Sequence, residues 1–98
     1  MEASPRGVAV LAQNTPNPFN PRTTIRFMVP KAGPGSLTIY DVNGRRVATP
    51  LQGELTEGEH RVAWEAKDHA GRPLPSGVYL YRLELPGFES TRRMTLLR

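Results

Sequence analysis

The sequence contains no cysteine and no apolar run long enough to cross a membrane. Because it lacks cysteine, the chain can form no disulfide framework, no thiol nucleophile and no cysteine-ligated metal site. A membrane-spanning helix requires about 18 or more consecutive apolar residues, so direct membrane insertion is not expected. No signal peptide is recognisable in residues 1–13, and an export signal would therefore lie outside this sequence.

The sequence also lacks apolar residues at the spacing of a helix. It consists instead of short runs with a strand pattern, separated by turn residues. A chain of 98 residues is expected to form one domain with a single core. Strand patterns recur about every 8–15 residues, which predicts an antiparallel β-sandwich. A possible first edge strand at residues 8–12 lies within residues 1–13, which are otherwise interpreted as a linker remnant. The other strands are predicted at residues 23–29, 36–41, 45–49, 60–66, 77–85 and 90–97.

The segments between these strands are rich in proline, glycine and polar residues, which predicts loops. Residues 14–21 (NTPNPFNP) contain three prolines, so neither a helix nor a central strand is expected there. Phe19 is predicted to plug this stiff loop into the core, with a ligand-binding aromatic as the alternative. Trp64, the single tryptophan, is predicted at the centre of the core. Further loops are predicted at residues 30–35, 52–59 and 67–76.

The sequence has fewer acidic than basic residues. Nine aspartates and glutamates and thirteen arginines and lysines give a net charge of +4. Arginine supplies eleven of the thirteen, and most arginines are scattered along the predicted strands. A nucleic-acid-binding protein would need a basic stripe interleaved with stacking aromatics, or a recognition helix, and the sequence has neither. Arginines on outward strand faces instead discourage edge-to-edge pairing, and only the C-terminal end of the sequence clusters them.

Side chains that could carry out chemistry do not converge in the sequence. His60 and His69 flank different strands without metal-ligand spacing, so both are interpreted as solvated histidines. Asp41, Asn43 and Asp68 could surround a calcium ion, but turn formation explains the same residues and their spacing differs from that of a calcium loop. We therefore expect no enzyme activity and no cofactor, and a role in binding, addressing or attachment.

Five blocks of the sequence follow one another in a characteristic order. They read NPFNPRTTIRFMVP (residues 17–30), YDVNGRRV (40–47), GEHRVAWE (58–65), AGRPLPSGVYLYRL (70–83) and TRRMTLLR (91–98). Together they resemble the C-terminal sorting domain, type A, of the type IX secretion system, over residues 14–98. The same blocks resemble the immunoglobulin-like domain of flagellar hook-capping proteins.

The resemblance implies an all-β fold, an immunoglobulin-like antiparallel β-sandwich of about seven strands at the end of a larger secreted protein. It further implies that the domain directs a fused N-terminal cargo domain through the periplasm and the outer-membrane secretion machinery to the cell surface. A sortase-like peptidase would then remove the domain and attach the cargo. The residues that carry the structural part of the resemblance are Asn17, Pro18, Phe19, Asn20, Pro21, Asp41, Gly44, Arg45, Trp64, Gly71, Ser76, Gly77 and Tyr79.

The last strand of the sequence is predicted to be the recognition element. An edge strand offers unpaired backbone for strand addition, and its arginines add charge for selection. The closing motif of the family usually contains lysine, whereas every basic position here is arginine. Mutating these charges is expected to change delivery more than stability. The predicted recognition residues are Arg92, Arg93, Met94, Leu96, Leu97 and Arg98.

Two other functions fit the sequence pattern. An accessory module that binds carbohydrate or the cell envelope and tethers an extracellular enzyme would use exposed aromatics such as Tyr40 or Tyr81 on a flat sheet face. A structural spacer would need only a stable sandwich. In each case we expect a monomer that binds no nucleic acid.

Overall fold

Seven β-strands and no helix lie within residues 8–98, the part of the chain that this computed structural model describes. The all-β prediction is therefore confirmed. The linker interpretation of residues 1–7 falls outside the described residues. The strands are β1 (Val10–Leu11), β2 (Thr23–Val29), β3 (Gly33–Asp41), β4 (Arg46–Leu55), β5 (Gly58–Trp64), β6 (Gly77–Leu85) and β7 (Phe88–Leu96).

The strands form two sheets whose pairings are all antiparallel. One sheet has the order β1-β2-β5 and the other has the order β4-β3-β6-β7. Along the described residues, the chain changes sheets three times, between β2 and β3, between β4 and β5, and between β5 and β6. Between residues 8 and 98, no helix offers the length and hydrophobicity that a membrane span needs.

The core lies between the two sheets and follows from the alternation of side chains along each strand. In β2, Ile25, Phe27 and Val29 are buried and the residues between them are more exposed, as predicted. In β6, Tyr79, Tyr81 and Leu83 face the core in the same way. The buried apolar residues are Leu11, Phe19, Ile25, Phe27, Val29, Leu37, Ile39, Ala48, Leu55, Trp64, Ala66, Tyr79, Tyr81, Leu83, Met94 and Leu96.

Trp64 is buried but does not occupy the most enclosed position. It ends β5, where its ring packs at 6.1 Å from the Phe19 ring and edge-on at 6.3 Å from the Tyr79 ring. Tyr81 and Phe19 are the largest fully buried side chains of the described residues. Trp64 therefore belongs to the core, as predicted, but Tyr81 is more enclosed than Trp64, for which the central position was predicted.

The β3–β4 hairpin is longer than predicted. β3 begins at Gly33, inside the turn predicted at residues 30–35. β4 continues to Leu55 and β5 begins at Gly58, so the prediction of a loop over residues 52–59 is wrong except at residues 56–57. Gly35 is needed for close packing, because a Cβ there would lie 2.6 Å from Leu55 Cδ1 and 2.8 Å from Leu85 Cδ2. The glycines that suggested a turn therefore lie in a closely packed hairpin.

Candidate recognition surface

Strand β7, the predicted recognition strand, is an edge strand of the four-stranded sheet and pairs with β6 alone among the described strands. Its side chains alternate between the core and the surface. Met94 and Leu96 are 0% exposed, whereas Arg93 is exposed and Leu97, just beyond the strand, is 54% exposed. Of the predicted recognition residues, Met94 and Leu96 thus have side chains that no partner of the folded domain can contact.

Residues 13–19, which we call the covering segment, lie along the free edge of β7. The expectation that the β7 backbone is unpaired from residue 93 onward is therefore wrong. The backbone N–H of Phe19 donates to Thr95 O at 3.0 Å, and Leu97 N–H donates to Phe19 O at 3.0 Å. Asn17 Oδ1 accepts from Thr95 N–H at 2.9 Å. Gln13 Nε2 donates to Arg93 O at 2.7 Å. Strand addition at residues 93–97 would have to displace this segment.

A buried polar network holds the covering segment in place. Asn14, only 2% exposed, donates its backbone N–H to the Tyr81 hydroxyl at 2.8 Å, and that hydroxyl donates to Ala12 O at 2.7 Å. Asn14 Nδ2 donates to Thr23 Oγ1 at 3.0 Å. Burial is the main cause that raises the pKa of the Tyr81 phenol, so the hydroxyl stays protonated and able to donate.

Phe19 inserts from the covering segment into the core. Its side chain is 2% exposed, and its ring packs against Trp64. The prediction of a plug is confirmed, and burial leaves no face of the ring for a ligand. The neighbouring Asn17, Pro18, Asn20 and Pro21 are exposed.

The side chains of the three arginines in the C-terminal segment, Arg92, Arg93 and Arg98, differ in their contacts. Arg92 Nε donates to Leu11 O at 2.6 Å and so ties β7 to β1. Arg98 Nε donates to Leu74 O at 2.6 Å, its NH2 group donates to Ala66 O at 3.1 Å, and its backbone N–H donates to Ser76 Oγ at 2.8 Å. Within residues 8–98, the Arg93 side chain is the only one of the three without a hydrogen bond or ion pair. A charge that acts on recognition without acting on stability is therefore best sought at Arg93.

Replacing Arg98 with methionine is expected to lower the free energy of unfolding by about 1–2 kcal/mol, because two loop carbonyls lose a charged donor. Arg93→Met is the matched control and is expected to change stability by less than about 0.5 kcal/mol. Urea titration followed by circular dichroism measures both values. Equal effects of the two substitutions would contradict the claim that Arg98 stabilises the fold and Arg93 does not.

Two turns of the structure share the pattern Asp-x-x-Gly-Arg and the same hydrogen bonds. In the first, Asp41 Oδ1 accepts the N–H groups of Asn43 at 2.9 Å and Arg45 at 3.0 Å, and Arg45 Nε donates to Asp41 Oδ2 at 3.2 Å. In the second, Asp68 Oδ1 accepts the N–H groups of Ala70 and Arg72 at 2.9 Å. Arg72 Nε donates to Asp68 Oδ2 at 3.3 Å. Each aspartate therefore closes its own turn.

The glycines of the two turns adopt the left-handed backbone conformation, with φ of 84° at Gly44 and 83° at Gly71. Glycine tolerates this region without the clash that a Cβ causes. The calcium alternative for Asp41, Asn43 and Asp68 finds no support, because the two carboxylates are already used by their turns. Over residues 8–98, no group of three or more acidic or histidine side chains could hold a metal ion.

Hydrogen bonds to the backbone hold the pKa of both aspartates below the usual range. The largest cause at Asp41 is the Arg45 N–H, and at Asp68 it is the Arg72 N–H, against a smaller opposing effect of burial. A depressed carboxyl pKa stabilises the turn above the ordinary value of 3.8, and this contribution is lost as the pH falls through the lowered pKa.

We expect Gly44→Ala to raise the pKa of Asp41 towards its ordinary value, because alanine strains the left-handed position and loosens the turn. Asp68, in the unaltered second turn, provides the internal control and should titrate as in the parent chain. Carboxyl-carbon NMR titration resolves the two groups. An unchanged Asp41 pKa would contradict the claim that the closed turn is what lowers it.

The two histidines have structural contacts. His60 lies within β5, with its ring stacked on Phe27 at 5.1 Å, and its Nε2 is 2.8 Å from Thr56 O. His69 donates both its backbone N–H, at 3.0 Å, and its ring Nδ1–H, at 3.1 Å, to Val47 O. Solvated side chains were predicted, and this holds for His69, which is exposed, but not for the half-buried His60.

The outer face of the four-stranded sheet offers little to a carbohydrate. Tyr81 is 0% exposed, so its expected role as a surface aromatic is wrong. Tyr40 is half-buried, and the Arg82 guanidinium lies over its ring at 5.2 Å from the centroid. Arg82 in turn forms ion pairs with Glu84 and Glu89. This cation already occupies the aromatic face that a sugar would stack on.

The remaining motif residues support the loop that follows β5. Tyr79 donates its hydroxyl to Pro75 O at 2.7 Å, and Ser76 Oγ accepts the Arg98 N–H. Gly77, with a φ of 156°, begins β6. The sequence pattern predicted a turn at Asp68 and Gly71, and the structure has it. It did not single out Gln13 or Asn14, nor the identity of this turn with the one at residues 41–45. The repeated Asp-x-x-Gly-Arg pattern could have revealed that identity.

Comparison with known proteins identifies a family. Residues 20–85, or 66 of the 98 residues, match the model of the FlgD Ig-like domain. No curated protein matches the chain by sequence.

Solved structures share the fold and confirm that the sandwich is immunoglobulin-like. Dimeric latent PorU from Porphyromonas gingivalis has a TM-score of 0.71 and 23% identity, over 92% of this chain and 9% of PorU. PorZ, an essential bacterial surface component of the type IX secretion system of the same organism, has a TM-score of 0.58 and 26% identity, over 88% of this chain and 11% of PorZ. FlgD from P. aeruginosa has a TM-score of 0.55 and 18% identity, over 91% of this chain and 72% of FlgD. The chain spans about a tenth of PorU and PorZ.

Proposed function

The chain belongs to the FlgD Ig-like domain family, and within that family we propose that it is a C-terminal sorting domain, type A, of the type IX secretion system. The observation that carries the proposal is the similarity to PorZ, at 26% identity over 88% of this chain. PorZ is a surface component of that secretion system, and the matched part is 11% of it. A match to a small part of a long surface protein is what a domain of an exported protein should give. The five sequence blocks support the same proposal.

The domain acts in this proposal as a folded, non-catalytic label. Its partners are a fused N-terminal cargo domain, the outer-membrane secretion machinery and a sortase-like peptidase, and its destination is the cell surface or the medium. The label would be read as a surface, because the core holds the side chains of Met94 and Leu96 and residues 13–19 cover the edge of β7. Of the predicted recognition residues, Arg92, Arg93, Leu97 and Arg98 are exposed. The side chains of Arg92 and Arg98 bond to backbone carbonyls, so Arg93 and Leu97 are the exposed ones whose side chains make no hydrogen bond within the described residues.

Fusing residues 1–98 behind a reporter enzyme tests the proposal in a host that has the type IX system. We expect reporter activity at the surface or in the medium of this host, and in the periplasm of an isogenic host without the system. A fusion to the Ig-like domain of FlgD is the matched control, because it tests whether any sandwich of this fold suffices. Periplasmic retention of the test fusion in the competent host, or equal delivery of both fusions, would contradict the proposal.

A further inference from the structure

The two Asp-x-x-Gly-Arg turns lie at the same end of the sandwich and line one cleft. The cleft has a volume of about 430 Å³. His69 holds the turns together, because its backbone and ring both donate to Val47 O beside the first turn. Arg98 fixes the loop that carries the second turn through Ala66 O and Leu74 O. The cleft is therefore a built feature whose two sides are joined by hydrogen bonds.

The exposed charge of this cleft is positive. The side chains of Arg45 and Arg72 are 79% and 77% exposed, whereas those of Asp41 and Asp68 are 19% and 15% exposed. Each aspartate receives two backbone N–H groups and the Nε of its own arginine. Within the described residues, no hydrogen bond occupies the NH1 and NH2 groups of either arginine. Arg46, which is also exposed, adds a third cation.

The two guanidinium groups are held in position before any ligand arrives. A free surface arginine loses rotamer entropy when it binds, and its planar fork then matches a carboxylate with two parallel hydrogen bonds. Here the bond from each Nε to its aspartate orients the fork in advance, so less entropy is lost on binding. Apolar side chains of Val47, Leu74 and Pro75 also line the cleft.

We propose that this cleft, lined by Arg45, Arg46 and Arg72, binds an acidic segment of a partner protein through its carboxylates. The apolar lining favours a peptide over a bare phosphate, because it offers contact to the aliphatic parts of the side chains that carry the carboxylates. The assignment rests on the proposed sorting function only for the identity of the partner, the secretion machinery. Binding itself is measured on the isolated chain, so it can fail or succeed independently of delivery.

Titration of the ¹⁵N-labelled chain with a peptide of alternating glutamate and serine tests the assignment by NMR. We expect shift changes at residues 41–47 and 68–75, and affinity about tenfold weaker in the Arg45→Gln, Arg72→Gln double variant. The double variant Arg26→Gln, Arg61→Gln, at exposed arginines of the three-stranded sheet, removes the same number of charges and is the matched control, which should bind as the parent chain does. The same peptide with glutamine in place of glutamate should not bind, which keeps the test valid if the Arg45→Gln, Arg72→Gln variant folds poorly.

Three results would overturn the assignment. The first is the absence of shift changes in the cleft with the glutamate peptide. The second is equal loss of affinity in the Arg26→Gln, Arg61→Gln control and in the Arg45→Gln, Arg72→Gln variant, which would indicate attraction by net charge alone. The third is binding to vesicles containing phosphatidylglycerol through the same arginines without binding to the peptide, which would assign the cleft to lipid phosphates.

Discussion

Removing residues 91–98 is expected to unfold the domain. The truncation takes away Met94 and Leu96, which are fully buried, together with most of the pairing between β6 and β7 and all contacts of Arg98. Truncating one buried side chain of this size costs about 2–5 kcal/mol, and a domain of this length has a total stability of about 5–15 kcal/mol. The two side chains alone account for much of that stability.

Circular dichroism of the truncated chain should show no cooperative melting transition. A shorter truncation that removes only residues 97 and 98 is the matched control, because it keeps Met94 and Leu96. This control is expected to melt cooperatively at a reduced temperature, since Arg98 is lost. A cooperative, native-like melt of the chain lacking residues 91–98 would contradict the place of β7 in the core. If the truncated chain does unfold, its failure to be delivered would not identify an address.

Phe19→Ala is expected to destabilise the domain by about 3–5 kcal/mol, the cost of removing a fully buried phenylalanine. The change should also release the segment that covers β7, because Phe19 both fills the core and pairs its backbone with Thr95 and Leu97. An uncovered strand edge exposes unpaired N–H and C=O groups, so the variant should associate with itself more than the parent chain does.

Phe88→Ala provides a matched control for this substitution. Phe88 begins β7 but is only half-buried, so the same change should cost about 1–2 kcal/mol and leave the covered edge intact. Urea denaturation gives the two stabilities, and hydrogen exchange at the Leu97 amide reports on the cover. Protection of that amide that is as strong in Phe19→Ala as in the parent chain would show that Phe19 does not hold the segment.

The central strands were predictable from the sequence because their period of two is regular. In β2 and β6, one set of alternate residues is apolar, and a strand with one buried face requires this pattern. β4 was predicted too short because Pro50 and Gly53 are typical of loops. An edge strand tolerates such residues, since the lost N–H of proline need not belong to the ladder, and β4 lies at the edge of its sheet.

The cover over β7 could not be predicted from local pattern. It depends on a parallel bridge between Phe19 and Leu96, which lie far apart in the sequence, and on the buried amide of Asn14. Prolines made residues 14–21 an apparent loop, and nothing in their order indicates where such a loop docks. The cationic cleft was accessible in principle, because both turns carry the same five-residue pattern. Only the structure shows that they lie on one cleft.

Delivery of a reporter by surface variants of the intact domain tests the account most directly. The Arg93→Glu, Leu97→Ser double variant changes the two exposed predicted recognition residues whose side chains make no hydrogen bond within residues 8–98, and should melt within about 2 °C of the parent domain. The matched control is Arg26→Glu, Val10→Ser, which makes the same kinds of change at exposed positions of the other sheet. If the folded surface around β7 is the address, the first variant should leave the reporter in the periplasm while the control is delivered normally. Normal delivery of a folded Arg93→Glu, Leu97→Ser variant, or equal loss in both variants, would contradict the account.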